Sequence, residues 1–378
     1  MEVTQVTLTS ADELTAKLQG LASIRPNFLL AFGAESLLKA VAVPLATAFA
    51  SVTRVGCTTA GEISSQGVAD GTCVVTAVRF DSSHVVESST VLNGMADSFA
   101  AGQRLGQQLP SKDLKAVLVL GQGVAINGSE LIAGLASVLG ADVPITGGLA
   151  GDAAAFKESW VLNGNGVHND QLVCVGLYGD KLSYAHGSFG GWQPFGPARK
   201  VTRSEQNILY ELDGEPALEV YKRYLGEHAK DLPASGLLFP FAMLGSDHSE
   251  VGLIRTILGV DEVAGSMTLA GDIESAGYLR LMHASTDALV DGAESAAQAA
   301  QKMWAGSGAS LAILVSCVGR KLVMGGRVDE EVEAVGDVFG QKAVLTGFYS
   351  NGEISPFTGN APCKLHNQTM TITHIAEM

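Results

Sequence analysis

Four times the chain places an alanine or asparagine, a glycine and an acid in succession: Ala60-Gly61-Glu62, Ala150-Gly151-Asp152, Ala270-Gly271-Asp272 and Asn351-Gly352-Glu353. A glycine turn at the end of a strand is where open α/β sheets meet small ligands, and a carboxylate there can receive an ammonium or other cationic group. Phosphate is a poor fit. There is no GxxxxGK[ST] sequence, and an acid after the last glycine repels an anion held by backbone N–H groups. The other use of such a turn is structural. The glycines Gly61, Gly151, Gly271 and Gly352 would adopt positive φ, and the carboxylates would accept local backbone N–H bonds. These residue types favour that use, with Glu62 and Glu353 as the carboxylates placed to line a small-ligand pocket.

A second candidate is Ser183 to Gly214, which sets His186, Phe189, Trp192 and Phe195 among glycines and prolines. Aromatics on a glycine-rich loop can wall an apolar cavity, and a neutral imidazole among them can ligate a metal or haem iron. Composition favours the other use, in which Trp192 and Phe195 plug a domain junction while His186 bonds a backbone carbonyl. His283 alternates with Leu279 and Leu281, which points it to the apolar side of its strand; the remaining histidines stand singly. Cys57 lies beside Gly56 and Thr58 but has no histidine near it in sequence, which makes an inert buried thiol the expected reading. No GxSxG, HExxH, EF-hand spacing or post-strand GxGxxG occurs, so the expectation is a protein that is not an enzyme.

The elements that must hold these residues repeat. "NFLLAF", then "ESLLKAVAVPLATAF", then "VTRVGCTTAGEIS" reads as strand, helix broken by Pro44, strand and glycine loop. "KAVLVLGQG", "GSELIAGLASVLG" and "VPITGGLAGD" repeat the unit, and "SLAILVSC", "DEEVEAVGDVFG" and "AVLTGFYSNGEIS" repeat it again. "GCTTAGEIS" and "GFYSNGEIS" share five of nine residues, and "SMTLAGDI" echoes the ending alone. Alternating segments such as "TCVVTAVRF" and "TMTITHI" suit antiparallel neighbours, whereas the β-α-β units need parallel ones. The fold class is therefore α/β: two related lobes with mixed sheets built from repeated β-α-β-glycine-loop units. "ALEVYKRYLG" follows the Asp213-Gly214 turn as a helix with Leu218, Tyr221 and Leu225 on one face. The boundary is placed between residues 200 and 220, giving domains 1–210 and 211–378.

Composition narrows the partners. With 24 Lys and Arg against 39 Asp and Glu, the formal charge is −15, which disfavours nucleic acid because phosphate binding needs clustered cations. No apolar run reaches the roughly 18 residues of a membrane span. The opening "MEVTQVTLTSADELTAKL" has neither a basic start nor an apolar stretch of the signal type. Five scattered cysteines without CxxC read as buried or free thiols. Together these describe a cytoplasmic protein.

"GCTTAGEIS", "TGGLAGD", "GGWQPFGPARKVTRSEQNILYELDGEPALEVYKRYLG", "SCVGRKLVMGG" and "TGFYSNGEIS", in that order, resemble the FIST sensory proteins, with both the N-terminal and C-terminal FIST domains present. The resemblance covers almost the whole chain. It implies a non-enzymatic input module that binds a small ligand and reports it to a histidine kinase or to cyclic-di-GMP signalling, with a homodimer compatible. Within the family, "GGWQPFGP" and "RTILGVDEVAGSMTLAGDI" look most like the bacterial nitric-oxide-sensing haem proteins. That resemblance implies haem b and nitric oxide as ligands, with His186 as the iron ligand, His283 as the alternative, and Trp192 and Phe195 beside the cofactor. A non-haem module taking an amino-acid-type ligand through the acidic glycine loops is the second reading, and an enzyme using Cys57 the third.

Overall fold

The computed structural model describes residues 1–275, 277–304, 306, 308–356 and 362–378. Each of the three repeats forms a parallel strand pair joined by a helix. Phe28–Gly33 and Thr53–Thr58 are joined by Glu35–Ala48, Leu114–Gly121 and Ile145–Leu149 by Gly128–Leu139, and Ser310–Cys317 and Ala343–Ser350 by Val318–Met324 and Asp329–Phe339. Antiparallel strands flank each pair, giving three six-stranded mixed sheets. The mixed α/β class and the repeated unit are as the sequence indicated. Helix Glu35–Ala48 differs in detail, because it runs through Pro44 instead of stopping there.

Along the first strand, Phe28, Leu30 and Phe32 face one side while Leu29 and Ala31 face the other, all buried. One side joins residues of the other two sheets, among them Leu118, Leu120, Val173, Leu311, Ile313 and Phe348, in a common core. The other side packs under a helix pair, here Glu13–Ala22 and Glu35–Ala48. Ser98–Gln107 with Gly128–Leu139, and Thr286–Met303 with Asp329–Phe339, do the same for the other sheets. Strands buried on both faces carry apolar runs instead of alternation, which is how these segments read.

The repeats are laced in a ring. After its turn, each repeat sends its next strand into a neighbouring sheet. Glu62–Ser64 pairs with Ala343–Ser350, Val161–Asn163 with Thr53–Thr58, and Gly352–Pro356 with Ile145–Leu149. The strands of residues 1–189 and 286–378 thus close into one trefoil body. Between them lies an inserted body with its own nine-stranded sheet and its own core. Residue 210 lies inside strand Ile208–Leu212 of that insert. The insert's helix Ala217–Leu225 buries Leu218, Tyr221 and Leu225 as its spacing required. Among the described residues no helix is long and apolar enough to cross a membrane.

Candidate functional site

Backbone register brings three of the four turns together. Gly56, Gly147 and Gly347 lie opposite Ala31, Val119 and Leu314 of the parallel partner strand. Four residues further on, Ala60 N–H donates to the Tyr349 carbonyl (2.8 Å), Gly151 N–H to Thr58 (3.0 Å) and Asn351 N–H to Leu149 (3.0 Å). This cycle fixes the equivalence of Ala60, Gly151 and Asn351. Asp152 therefore stands where Gly61 and Gly352 stand, one residue out of step with Glu62 and Glu353. The fourth turn, Ala270 to Asp272, belongs to the insert. Positive φ is found at Gly61 (136°) and Gly271 (141°) but at neither Gly151 nor Gly352, which correct the expectation at those two positions.

The acids of these turns are structural. Glu62 is buried, accepts from the Thr59 hydroxyl, and takes both the N–H (2.9 Å) and the hydroxyl (2.8 Å) of Thr72. Glu353 repeats this with the Ser350 hydroxyl (2.7 Å) and with the N–H (3.2 Å) and hydroxyl (3.0 Å) of Thr369. Asp152 accepts the N–H groups of Phe156, Lys157 and Glu158 (2.9, 2.6 and 3.1 Å). Burial raises the Glu62 carboxyl, and it carries Glu353 from 4.5 to about 8 even though three hydrogen bonds and Arg320 pull the other way. Because the folded chain binds the Glu353 proton more tightly, that contribution to stability is full below about pH 4.5 and is lost as pH rises through about 8. Urea unfolding of Glu353→Gln should therefore show a smaller loss of stability between about pH 5 and about pH 9 than the parent chain. An unchanged slope would show that Glu353 does not carry it.

Beside two turns of the ring lies a cavity of about 560 Å³, walled by Thr58 to Glu62, by Asp152 to Ala154, by Asp70, and by helix Val318–Met324. Lys321 reaches into it, donating to the Ala60 carbonyl (2.8 Å) and pairing with Asp70, which is 74% exposed at the rim. The bareness of Gly61 makes this reach feasible, since a Cβ there would sit 2.4 Å from Lys321 Nζ. Ala153 and Ala154 on the opposite wall hold φ of 55° and 64°, left-handed values that cost a non-glycine residue about 1–2 kcal/mol each. Such strain collects at ligand-binding sites.

The neighbouring residue faces the other way. The Arg320 guanidinium is fully buried and pairs with buried Glu331 (2.8 Å), which also accepts from Ser316 (2.9 Å) and Tyr349 (2.6 Å). Arg320 further donates to the carbonyls of Gly190 (2.5 Å) and Leu289 (2.8 Å). Those two residues flank the chain's entry to the insert and its exit. Lys321 and Arg320 were not singled out in the sequence. Their signal was a pair of cations, in "CVGRKLVM", within an otherwise apolar helix.

Phe195 and His283 do meet. Phe195 lies 5.8 Å from the His283 ring and 6.1 Å from Phe239, and strand Gln193–Pro194 pairs with His283 and Met282. His283 is half-buried on the side of Leu279 and Leu281, as alternation required. Trp192 Nε1 donates to the Gln368 carbonyl (2.8 Å), tying the entry of the insert to the trefoil body. His186 stands apart in strand Leu182–Phe189 of the trefoil body. It is 3% exposed, with Nδ1 lacking a hydrogen-bond partner, and burial lowers its pKa. The cavity beside Trp192 is about 180 Å³, and neither imidazole lines it. A cofactor pocket runs from about 300 Å³ upward, a size this cavity does not reach. Among the described residues no cluster of three or more His, Cys, Asp or Glu could hold a metal ion. Cys57 is buried and burial pushes its thiol well up. Cys73, Cys174 and Cys317 are also free and buried, and Cys363 is free and half-buried.

Comparison with known proteins follows the same ground. The FIST N domain family matches residues 27–215 and the FIST C domain family residues 217–356. An uncharacterised protein of Methanocaldococcus jannaschii is 34% identical over 88 residues, 23% of this chain and 17% of that protein, so the match spans a small part of that relative. A cyanuric acid hydrolase from A. caulinodans aligns over 100% of this chain and 98% of its own at 10% identity, with a TM-score of 0.39, too low to carry an argument.

Proposed function

The chain belongs to the FIST family, a sensory one, and on that premise we propose that its ligand is a small molecule with both a carboxylate and an ammonium group, of the amino-acid type, taken up in the cavity at the ring of turns. The carrying observation is Lys321, a cation inside a cavity of ligand size whose counter-charge, Asp70, stands exposed at the rim. A ligand carboxylate would exchange with Asp70 on Lys321, and the released Asp70 would face the ammonium. Helix Val318–Met324 would pass the change on. It carries Lys321 on the cavity side and Arg320 on the side that grips both crossings to the insert. Ligand affinity that differs between two placements of that helix would shift their populations, which is all a sensor requires. The module is read as non-enzymatic and cytoplasmic, reporting to a histidine kinase or a cyclic-di-GMP enzyme.

A thermal-shift screen of amino acids tests this. A ligand at about 100 times its Kd adds about 2.7 kcal/mol to stability, a rise in Tm that is easily read. Lys321→Met should weaken the active ligand by roughly tenfold to a hundredfold, the worth of a charge-assisted hydrogen bond. A screen without a hit, or a hit that Lys321→Met leaves untouched, would count against the cavity. The haem and nitric-oxide reading keeps one supporting observation, the buried, unpartnered Nδ1 of His186. Absence of a Soret band after reconstitution with haem would remove it.

A further inference from the structure

A second cavity, of about 350 Å³, lies on the seam between the trefoil body and the insert. Helix Gly128–Leu139 and strand Cys363–His366 form one wall, and the end of strand Glu250–Arg255 forms the other. Arg255 lines it and is 3% exposed. Its Nε donates to the Asp272 carbonyl (3.1 Å) and its Nη1 to those of Ile254 (3.1 Å) and Leu365 (3.4 Å). A guanidinium has five N–H groups. Three are used here, and the two on Nη2 have no acceptor among the described residues.

The charge is unmatched as well. Among the described residues no carboxylate oxygen lies within 4.0 Å of Arg255. Asp272 borders the cavity, and its carboxylate acts on Arg255 only through space. Burying a cation without a paired anion is costly, and natural chains avoid it unless a partner arrives. Lys364 adds a second cation at the exposed rim. Ile132, Val143, Ile145 and Leu253 form an apolar part of the wall, and Ser129 also lines it.

We infer that this cavity binds a small carboxylate with an apolar body, its oxygens accepting from Arg255 Nη2 and its hydrocarbon lying against Ile132, Val143 and Leu253. Planar carboxylates suit the guanidinium, whose donors are fixed in a plane. Because the two bodies each supply one wall, the bound anion joins them across the seam. The inference does not rest on the Lys321 cavity, and the two are separable by substitution.

Isothermal titration with benzoate, benzamide and inorganic phosphate tests it on the full chain. Benzoate is expected to bind and benzamide, its neutral counterpart, is not. Arg255→Lys should weaken benzoate by at least about tenfold, the loss of a charge-assisted hydrogen bond from a fixed fork. Ala136→Phe, which fills the cavity from a half-exposed helix position, should abolish binding, and Lys321→Met should leave it unchanged. If circular dichroism shows that Arg255→Lys does not fold, Ala136→Phe decides. The inference is overturned if benzoate does not bind, if benzamide binds as well, if phosphate alone binds, or if benzoate binding survives Ala136→Phe at full affinity.

Discussion

Gly347→Ala should cost stability at the top of the roughly 1–3 kcal/mol overpacking range or beyond it, and a chain that no longer accumulates in soluble form is an equally expected outcome. A Cβ at Gly347 would stand 1.8 Å from the Leu314 carbonyl oxygen, and Leu314 is its register partner in the parallel pair. Neither group can retreat, because the strands are buried on both faces and bonded on both edges. The same overlap stands at Gly56 against Ala31 (1.8 Å) and at Gly147 against Val119 (1.9 Å), so Gly56→Ala should behave alike. Gly326→Ala is the control, with no atom within 4 Å of its added Cβ, and should stay within about 0.5 kcal/mol of the parent chain. Urea unfolding reads all three. A Gly347→Ala chain as stable as Gly326→Ala would mean that the paired strands are further apart than described.

These glycines also show what the sequence disclosed and what it hid. The strand-helix-strand units were legible because strands buried on both faces spell continuous apolar runs, as in "NFLLAF" and "SLAILVSC", and the helices between them carry one apolar face. Their closure into a ring was not. It is made by backbone bonds such as Ala60 to Tyr349 and by short strands such as Glu62–Ser64, which leave no side-chain pattern. The shared spelling also misled at one place, because Asp152 follows a glycine as Glu62 does while standing one residue earlier in the turn. The insert escaped notice because its hairpins alternate like those of the trefoil body.

At the sites, the acids drew attention through their repetition, and the structure spends them on holding turns. The cations proposed to meet ligands, Lys321 and Arg255, stand in apolar company, the first beside Arg320 in a short helix and the second in the strand before "TILGV". A charge in such a setting is either paired inside or waiting for a partner, and sequence alone does not separate the two. Arg320 proves to be the first, held by Glu331 and two carbonyls. Its loss would leave Glu331 buried without its cation, and breaking a buried pair in this way typically costs about 3–5 kcal/mol.

The second large effect follows from the ring itself. Residues 1–210 taken alone lose Ala343–Ser350, the partner of Glu62–Ser64, and Gly352–Pro356, the partner of Ile145–Leu149. They also lose Met370–Glu377, which pairs with Leu182–Phe189 over its whole length. Leu311, Ile313, Val315, Phe348 and Ile375 vanish from the common core. No rearrangement within the fragment replaces a whole third of the trefoil body, and the wall of the Lys321 cavity goes with it. The decisive measurement is urea unfolding of the isolated 1–210 fragment followed by circular dichroism. The ring closure predicts a broad, non-cooperative change, whereas the full chain unfolds sharply. A sharp transition in the fragment, with a slope suited to a folded domain of its length, would contradict it.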